Sequence, residues 1–392
     1  MNKILIIFPK LKESGQWHYV PFSALCVASY WINHGAEVRI HDERLKPLEM
    51  QDVRWADSIL MTAFTGYQVT DGYRLIKHIK KLLPDKKIII GGPHADALPD
   101  QTLADPNIDG IIQGYMETGE YDLPWELVDI EKYVNPETER FIYISSYSCI
   151  GNCTFCQTIP RRKLIFIPLD KVERDIDNLM QLHKFRECVM FDSTIFTIPT
   201  RALFISRLMK RHNLQWICDS RADEICRTPK NILDEIINSG LKQITIGLES
   251  ASPTVVERMK KGKFHLEKYI KCAEIMSNYP TVKMCSGVIF GIPGESPIDI
   301  KLTIDYILKI KKINPNFRIS TTFYMPLPMT EMCNDAIKYG YIEPKSLKEY
   351  AERGADMHYK YNSYQSSLWI KNPEEYHKIY NNFVEENADL FI

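Results

Sequence analysis

Short, nearly continuous apolar runs alternate with amphipathic stretches through the opening third of the chain. Residues 3–9, 37–41, 57–63, 87–92 and 108–113 read as strands, and apolar positions at helical spacing over 23–34 and 69–83 read as helices. Gly35 and Pro84 stand where each helix must stop. Strands that are apolar at successive positions are buried on both faces, so this alternation predicts a parallel, doubly wound sheet with helices on either side. Ligands of such sheets bind beyond the carboxyl ends of the strands. Those ends carry Phe8-Pro9, Ala63-Phe-Thr-Gly-Tyr-Gln68, Gly91-Gly-Pro-His94 and Gly114-Tyr-Met-Glu117, where small residues let a large planar ligand approach the backbone.

The pattern breaks over residues 118–140, an acidic stretch with Pro124 and Pro136 that reads as a linker. Strand and helix patterns then resume, with strands expected at 141–145, 188–191, 215–218, 243–248, 283–290 and 318–324. Six β/α units make a partial TIM barrel, and barrel enzymes place their chemistry at strand carboxyl ends. After Thr330 the chain is polar and rich in tyrosine (Tyr339, Tyr341, Tyr350, Tyr359, Tyr361, Tyr364), so these rings either close the barrel mouth or pack as a helical cap. The expected organisation is an α/β chain: a Rossmann-like domain (1–117), a linker (118–140), a partial (β/α)6 barrel (141–330) and a carboxyl-terminal cap or substrate-closing region (331–392).

One loop stands apart chemically. Cys149, Cys153 and Cys156 lie in Tyr147-Ser-Cys-Ile-Gly-Asn-Cys-Thr-Phe-Cys156, a C-x3-C-x2-C spacing. Three thiolates from one tight loop suit a [4Fe–4S] cluster with one iron left open to chelate and reduce a small molecule. A zinc knuckle wants paired cysteines and a nearby fourth ligand, yet the next histidine downstream is His183 and no second pair follows. Ten cysteines scattered without a signal peptide argue for a reducing cytosol over disulfides. The remaining cysteines, such as Cys26, Cys218, Cys272 and Cys285, sit in apolar runs as small core residues.

Composition adds boundaries. Hydrophobic residues are 45% and charged residues 25%, and 49 basic side chains face 50 acidic ones for a net charge of −1. That balance asks for neither nucleic acid nor an anionic membrane. No apolar stretch approaches the roughly 18 residues of a membrane helix. The expectation is a cytoplasmic protein without nucleic-acid or membrane partners.

Taken together, these motifs resemble radical S-adenosylmethionine (SAM) proteins with an N-terminal cobalamin-binding domain, the methyltransferase-like class that includes the anaerobic ring cyclase of chlorophyll synthesis. The resemblance spans roughly residues 1–345. It makes Cys149, Cys153 and Cys156 the catalytic cluster ligands, with Phe155 the aromatic before the last of them. Phe191-Asp-Ser-Thr194 resembles the strand end that takes the SAM amino group, through Asp192 and Ser193, with a serine in place of the second acid. Arg221 in Ser220-Arg-Ala-Asp223 would hold a carboxylate, for which a guanidinium fork is suited. Gly247-Leu-Glu-Ser250 resembles the ribose-binding run, giving Glu249 and Ser250. Gly287-Val-Ile-Phe-Gly-Ile-Pro-Gly-Glu295 resembles the strand over which adenine stacks, giving Ile289 and Gly291. Tyr324-Met-Pro-Leu-Pro-Met-Thr330 resembles the proline-rich end of the last strand. In the first domain the resemblance implies cobalamin contacts from Thr62, Thr65, Gly66, Tyr67, Gln68, Gly91, Gly92, His94, Gly114 and Glu117. No D-x-H-x-x-G run is present, so cobalamin would bind without a histidine from that motif, and Thr65 or Tyr67 would crowd its lower face.

The resemblance implies C-methylation of an unactivated substrate carbon through a 5′-deoxyadenosyl radical and methylcobalamin, using a [4Fe–4S] cluster, SAM and cobalamin. The expected partners are a small-molecule or peptide substrate and a flavodoxin- or ferredoxin-type electron donor. Rearrangement, cyclisation or oxidation without methyl transfer, with or without cobalamin, stays open at this point. Methylthio transfer needs three further cluster cysteines in the first domain, which has Cys26 alone. An iron–sulfur or corrinoid carrier would need none of the SAM-like motifs.

Overall fold

In the computed structural model the five apolar runs of the first domain form β1 (Lys3–Phe8), β2 (Glu37–Asp42), β3 (Ser58–Thr62), β4 (Lys87–Gly91) and β5 (Gly110–Ile112). The structure describes residues 2–11, 19–114, 121–135, 137–157, 164–261, 265–360 and 368–392, with side chains omitted over 354–360. Every pairing in this sheet is parallel, in the order β2-β1-β3-β4-β5. The order reverses between β1 and β3, and a crevice opens beyond the carboxyl ends of these two strands. Alternate residues of β1 serve different cores: Leu5 and Ile7 point to one layer, Ile4, Ile6 and Phe8 to the other. That division is why the run is apolar at successive positions.

One layer contains a piece of distant chain. Helix Leu347–Lys360 packs along helix Tyr67–Leu82, and Leu347, Tyr350 and Ala351 join the core with Leu5, Ile7 and Ile59. Thr70 Oγ1 donates to the Ala351 carbonyl at 2.7 Å. Tyr350 is thus a core residue of the first domain, and Tyr341 is buried as well, so neither lines the barrel mouth. Tyr361, Tyr364 and the Tyr359 side chain lie outside the described residues.

The second sheet contains β6 (Arg140–Tyr143), β9 (Glu187–Met190), β10 (Gln215–Ser220), β11 (Leu241–Ile246), β12 (Lys283–Phe290) and β13 (Phe317–Phe323), parallel and in sequence order. β6 and β13 do not pair among the described residues, so the barrel is open. Between β6 and β9 lies an antiparallel ribbon that the apolar pattern does not announce, β7 (Ser146–Tyr147) with β8 (Ile165–Phe166). Two-residue strands are too short to show a period. The ribbon brackets the cysteine loop. Along β10, Trp216 turns outward, its indole donating to Ser239 at 3.0 Å, as does Ser220 toward Glu224. Strand alternation therefore turns Ile217, Asp219 and Arg221 to the inner face.

Helix Phe22–Asn33 of the first domain touches both the second sheet and the linker. Phe22 packs edge-on against Tyr143 with ring centroids 5.4 Å apart, and Ser29 Oγ donates to the Asp122 carbonyl at 2.8 Å. Tyr133 of the linker donates to Asp42 at 3.0 Å. Helix Pro373–Glu386 packs on helix Pro297–Ile313, and Phe391 bridges Ile319 of β13.

Candidate active site between the two sheets

The carboxyl ends of both sheets wall one cavity of about 520 Å³. Its first-domain wall includes Phe8, Thr62, Phe64, Gln68, Gly91, Gly92, Ile112 and Gly114; the opposite wall includes Ile142, Ile144, Tyr147, Ser148, Phe191 and Ser193. The lining is mostly apolar. Phe64 and Phe191 are 42% and 61% exposed, large rings held toward the space with little behind them. Glycines at the strand ends leave the floor flat. Gly92 is forced to be small: it has φ of 93°, and a Cβ there would stand 3.0 Å from the Ala63 carbonyl.

The sequence-predicted cobalamin contacts divide. Thr62, Gln68, Gly91, Gly92 and Gly114 lie on the cavity wall, whereas Thr65, Gly66, Tyr67 and His94 do not. Thr65 and His94 are fully buried and bond each other, Thr65 Oγ1 to His94 Nδ1 at 3.0 Å, while Tyr350 packs edge-on against the imidazole. They pack under the carboxyl-terminal helix, off the cavity wall, where Phe64 is the residue of this turn that lines the space. Glu117 lies outside the described residues. The apolar walls and glycine floor fit a large planar group.

On the other side, β7 leads directly into the cysteine loop. Cys149, Cys153 and Cys156 are all partly exposed and unpaired in disulfides. Cys149 Sγ accepts from the Gly151 amide at 3.3 Å. A Cβ placed on Gly151 would stand 3.5 Å from Cys149 Sγ, 3.8 Å from Cys153 Sγ and 2.7 Å from Arg221 Nη1. Glycine at 151 is therefore what lets a guanidinium close over the thiols. Burial pushes the Cys153 thiol up, while Lys261 and Arg221 draw it back. Among the described residues no three Cys, His, Asp or Glu converge on a single ion. Three thiols spread about one loop under two cations suit a cluster in which each iron takes one cysteine.

The neighbouring strand ends are arranged by alternation. Glu249 has φ of 64° and faces the inner side, where Gly247 and Gly287 leave a bay for its carboxylate; a Cβ at Gly247 would collide with it. Lys261 Nζ approaches Glu249 Oε1 at 3.5 Å. His265 beside it bonds the Leu248 carbonyl, and burial with Lys261 lowers its pKa to about 4, so the ring is neutral at physiological pH. Ser250 faces the other way, buried against Thr303 at 3.2 Å, so Glu249 is the residue of that pair on the inner side. Asp192 is also turned inward. Its carboxylate accepts from the Ser145 amide at 3.0 Å, from Ser145 Oγ at 2.9 Å and from Ser146 Oγ. Asp192 thereby anchors the entry to the cysteine loop, and Ser193 is the residue of that pair on the cavity wall. Phe155 packs against the barrel core, and Ile289 is half-buried on β12. Sequence reading overlooked Gly151, Lys261 and Phe64. Only Gly151 carried a signal, as the small residue within the cysteine spacing.

Asp219 lies deeper on β10, beside Thr245 of β11. Burial raises its pKa to about 6, and no cation pairs with it among the described residues. A carboxyl raised in the folded state above its unfolded value loses stability as pH rises, here from about 4 to about 6. Asp219→Asn should therefore raise stability by roughly 3 kcal/mol at pH 7.5 and by nothing below pH 4. Urea midpoints at the two pH values check this; equal gains at both would remove charge as the cause.

Residues 15–123 match the B12 binding domain family, and residues 143–307 match the radical SAM superfamily. An uncharacterized methyltransferase of Pyrococcus horikoshii is 23% identical over 89% of this chain and 86% of its own length. A putative methylthiotransferase of Methanocaldococcus jannaschii is 23% identical over 71% and 70%. The structure of OxsB, a cobalamin-dependent S-adenosylmethionine radical enzyme solved with aqua-cobalamin and S-adenosylmethionine, superposes with a TM-score of 0.65 at 15% identity. It covers 99% of this chain, and this chain spans 62% of that one. At that identity the likeness speaks for the fold.

Proposed function

We infer that this chain, a radical SAM protein with a cobalamin-binding domain ahead of its catalytic sheet, methylates an unactivated carbon of a substrate held between the two sheets. Its cofactors are a [4Fe–4S] cluster, SAM and cobalamin. Bound, they supply hydrogen abstraction and a transferable methyl group, chemistry that no amino-acid side chain possesses. The observation that carries the reading is the shared cavity: Tyr147 and Ser148 on its wall immediately precede Cys149.

The protein's own residues would divide the work as follows. Cys149, Cys153 and Cys156 hold the cluster. Arg221 and Lys261 bring positive charge beside it and are placed to meet a carboxylate. Glu249, in its glycine bay, accepts hydrogen bonds from a diol. Ser193 offers a hydroxyl to an ammonium group, while Ile289 and Gly291 present a flat apolar edge to a purine. Phe64 and Phe191 line the space between, keeping water and stray hydrogen donors from a reactive carbon. Thr62, Gln68, Gly91, Gly92 and Gly114 support the corrinoid face. The substrate class is a small molecule or a peptide, with a flavodoxin- or ferredoxin-type protein as electron donor.

Methylthio transfer is disfavoured by one observation. Cys26 is the only cysteine before residue 149; it is buried, its thiol is pushed up to about 12, and it bonds the Tyr147 hydroxyl at 3.5 Å. The test is anaerobic expression with hydroxocobalamin followed by incubation with SAM and a low-potential reductant. About four irons and one corrinoid per chain, with both S-adenosylhomocysteine and 5′-deoxyadenosine released, are expected. Release of 5′-deoxyadenosine alone would reject methyl transfer in favour of rearrangement or oxidation.

A further inference from the structure

The turn that follows β12, Gly291-Ile-Pro-Gly-Glu295, is held by its own Glu295, by Arg258, which donates to the Pro293 carbonyl, and by several bonds from the carboxyl-terminal segment. The Trp369 indole donates to the Gly291 carbonyl at 2.6 Å, and the Gly291 amide donates to the Tyr376 hydroxyl at 3.0 Å. The same hydroxyl donates to Glu295 Oε2 at 2.7 Å, and that oxygen also accepts from the Ile292 amide at 3.0 Å. The backbone closes the arrangement: the Gly294 amide bonds the Trp369 carbonyl at 2.7 Å, and the Lys371 amide bonds the Glu295 carbonyl at 2.8 Å. Trp369, Tyr376 and Glu295 are each at most 1% exposed. Gly291 and Gly294 have φ of 70° and 79°, so the turn uses left-handed backbone at two points.

Within the turn the Glu295 side chain caps the Ile292 amide, but Gly291 is held from outside it. Both amide and carbonyl of Gly291 are spoken for by residues at least 78 positions later in sequence. Both partners lie beyond residue 307, where the radical SAM match ends. Any loosening of helix Pro373–Glu386 is therefore transmitted to Gly291, and through it to the adjacent strand end carrying Ile289.

We propose that Trp369 and Tyr376 are positioning residues for SAM, setting the shape of the turn against which its adenine rests. The proposal deepens the reading of Ile289 and Gly291 as the purine edge and rests on it. The carboxyl-terminal segment is then a working part of the cofactor site. Burial raises the Glu295 pKa to about 7, and the groups around it are Tyr376, Asp299 and, across the turn, Arg258. Protonation of Glu295 weakens the acceptor that Tyr376 and Ile292 share, so SAM binding should fall as pH drops through 7.

The experiment uses full-length protein with reconstituted cluster and corrinoid. Tyr376→Phe removes two buried hydrogen bonds and should weaken SAM binding about tenfold or more in equilibrium dialysis, with iron and corrinoid contents unchanged. Its pH dependence near 7 should flatten, as should that of Glu295→Gln. Gly291→Ala serves as the control on the turn. If Gly291→Ala weakens binding and Tyr376→Phe does not, the positioning role is overturned and the purine edge stands. If neither moves it, both fall. Should Tyr376→Phe lose its cofactors, hydrogen exchange on the wild type decides. Peptides covering 291–295 and 369–376 should slow together when SAM is added, and slowing of the first alone would overturn the proposal.

Discussion

Cys153→Ala is expected to leave protein that folds and binds corrinoid but holds essentially no [4Fe–4S] cluster and releases no detectable 5′-deoxyadenosine. Each of the three thiols would carry one iron, so losing one leaves the cluster with two protein ligands. Lys261 and Arg221 both draw on the Cys153 thiol. No acid, base or nucleophile nearby can substitute for electron transfer, so the loss should reach about three orders of magnitude or more. The fold should survive because Cys153 itself belongs to none of the hydrophobic cores. Iron and sulfide analysis, visible absorbance and chromatography of SAM products read the outcome. Iron at the wild-type ratio in this variant would refute the assignment.

A comparable loss, by another route, is expected from Asp192→Ala. The carboxylate is 1% exposed and accepts three hydrogen bonds from Ser145 and Ser146. The buried Arg201 guanidinium donates to the Ser145 carbonyl at 2.8 Å and balances the Asp192 charge. Truncation strands three donors and an uncompensated cation, which costs about 3–5 kcal/mol. Ser146 is three residues from Cys149, so the cluster loop should slacken with it. The expected result is a large fall in the urea midpoint together with substoichiometric iron. Asp192→Asn keeps an acceptor in place and should lose less of both. An alanine variant as stable as the wild type would mean that the network contributes nothing.

The parallel sheets were legible because burial on both faces leaves little freedom. Residues 4–7 and 88–90 must be apolar at every position, and few other elements require that. The cysteine loop was legible from spacing alone. What escaped were matters of direction. Thr65 and Phe64 are neighbours in a strand-end turn, and sequence does not say which one turns to the cavity. Ser250 was within reach: Gly247 and Glu249 share one face by period two, so Ser250 had to take the other. The destination of helix 347–360 was beyond reach, since an amphipathic pattern states that a face is buried but not against which core. An acid at a strand end such as Asp192 reads the same in sequence whether its partners are ligand or protein.

That helix has a consequence for biosynthesis. The first domain is made first, yet Leu347, Tyr350 and Ala351 complete its core. While the ribosome is still translating the barrel, helix 67–82 has an uncovered apolar stripe that only the late segment fills. Folding of the opening sheet therefore finishes only after the barrel strands and helix 347–360 have been translated, and the nascent chain carries sticky surface until then. Fragments stopped after the linker would keep that surface permanently and be prone to aggregate.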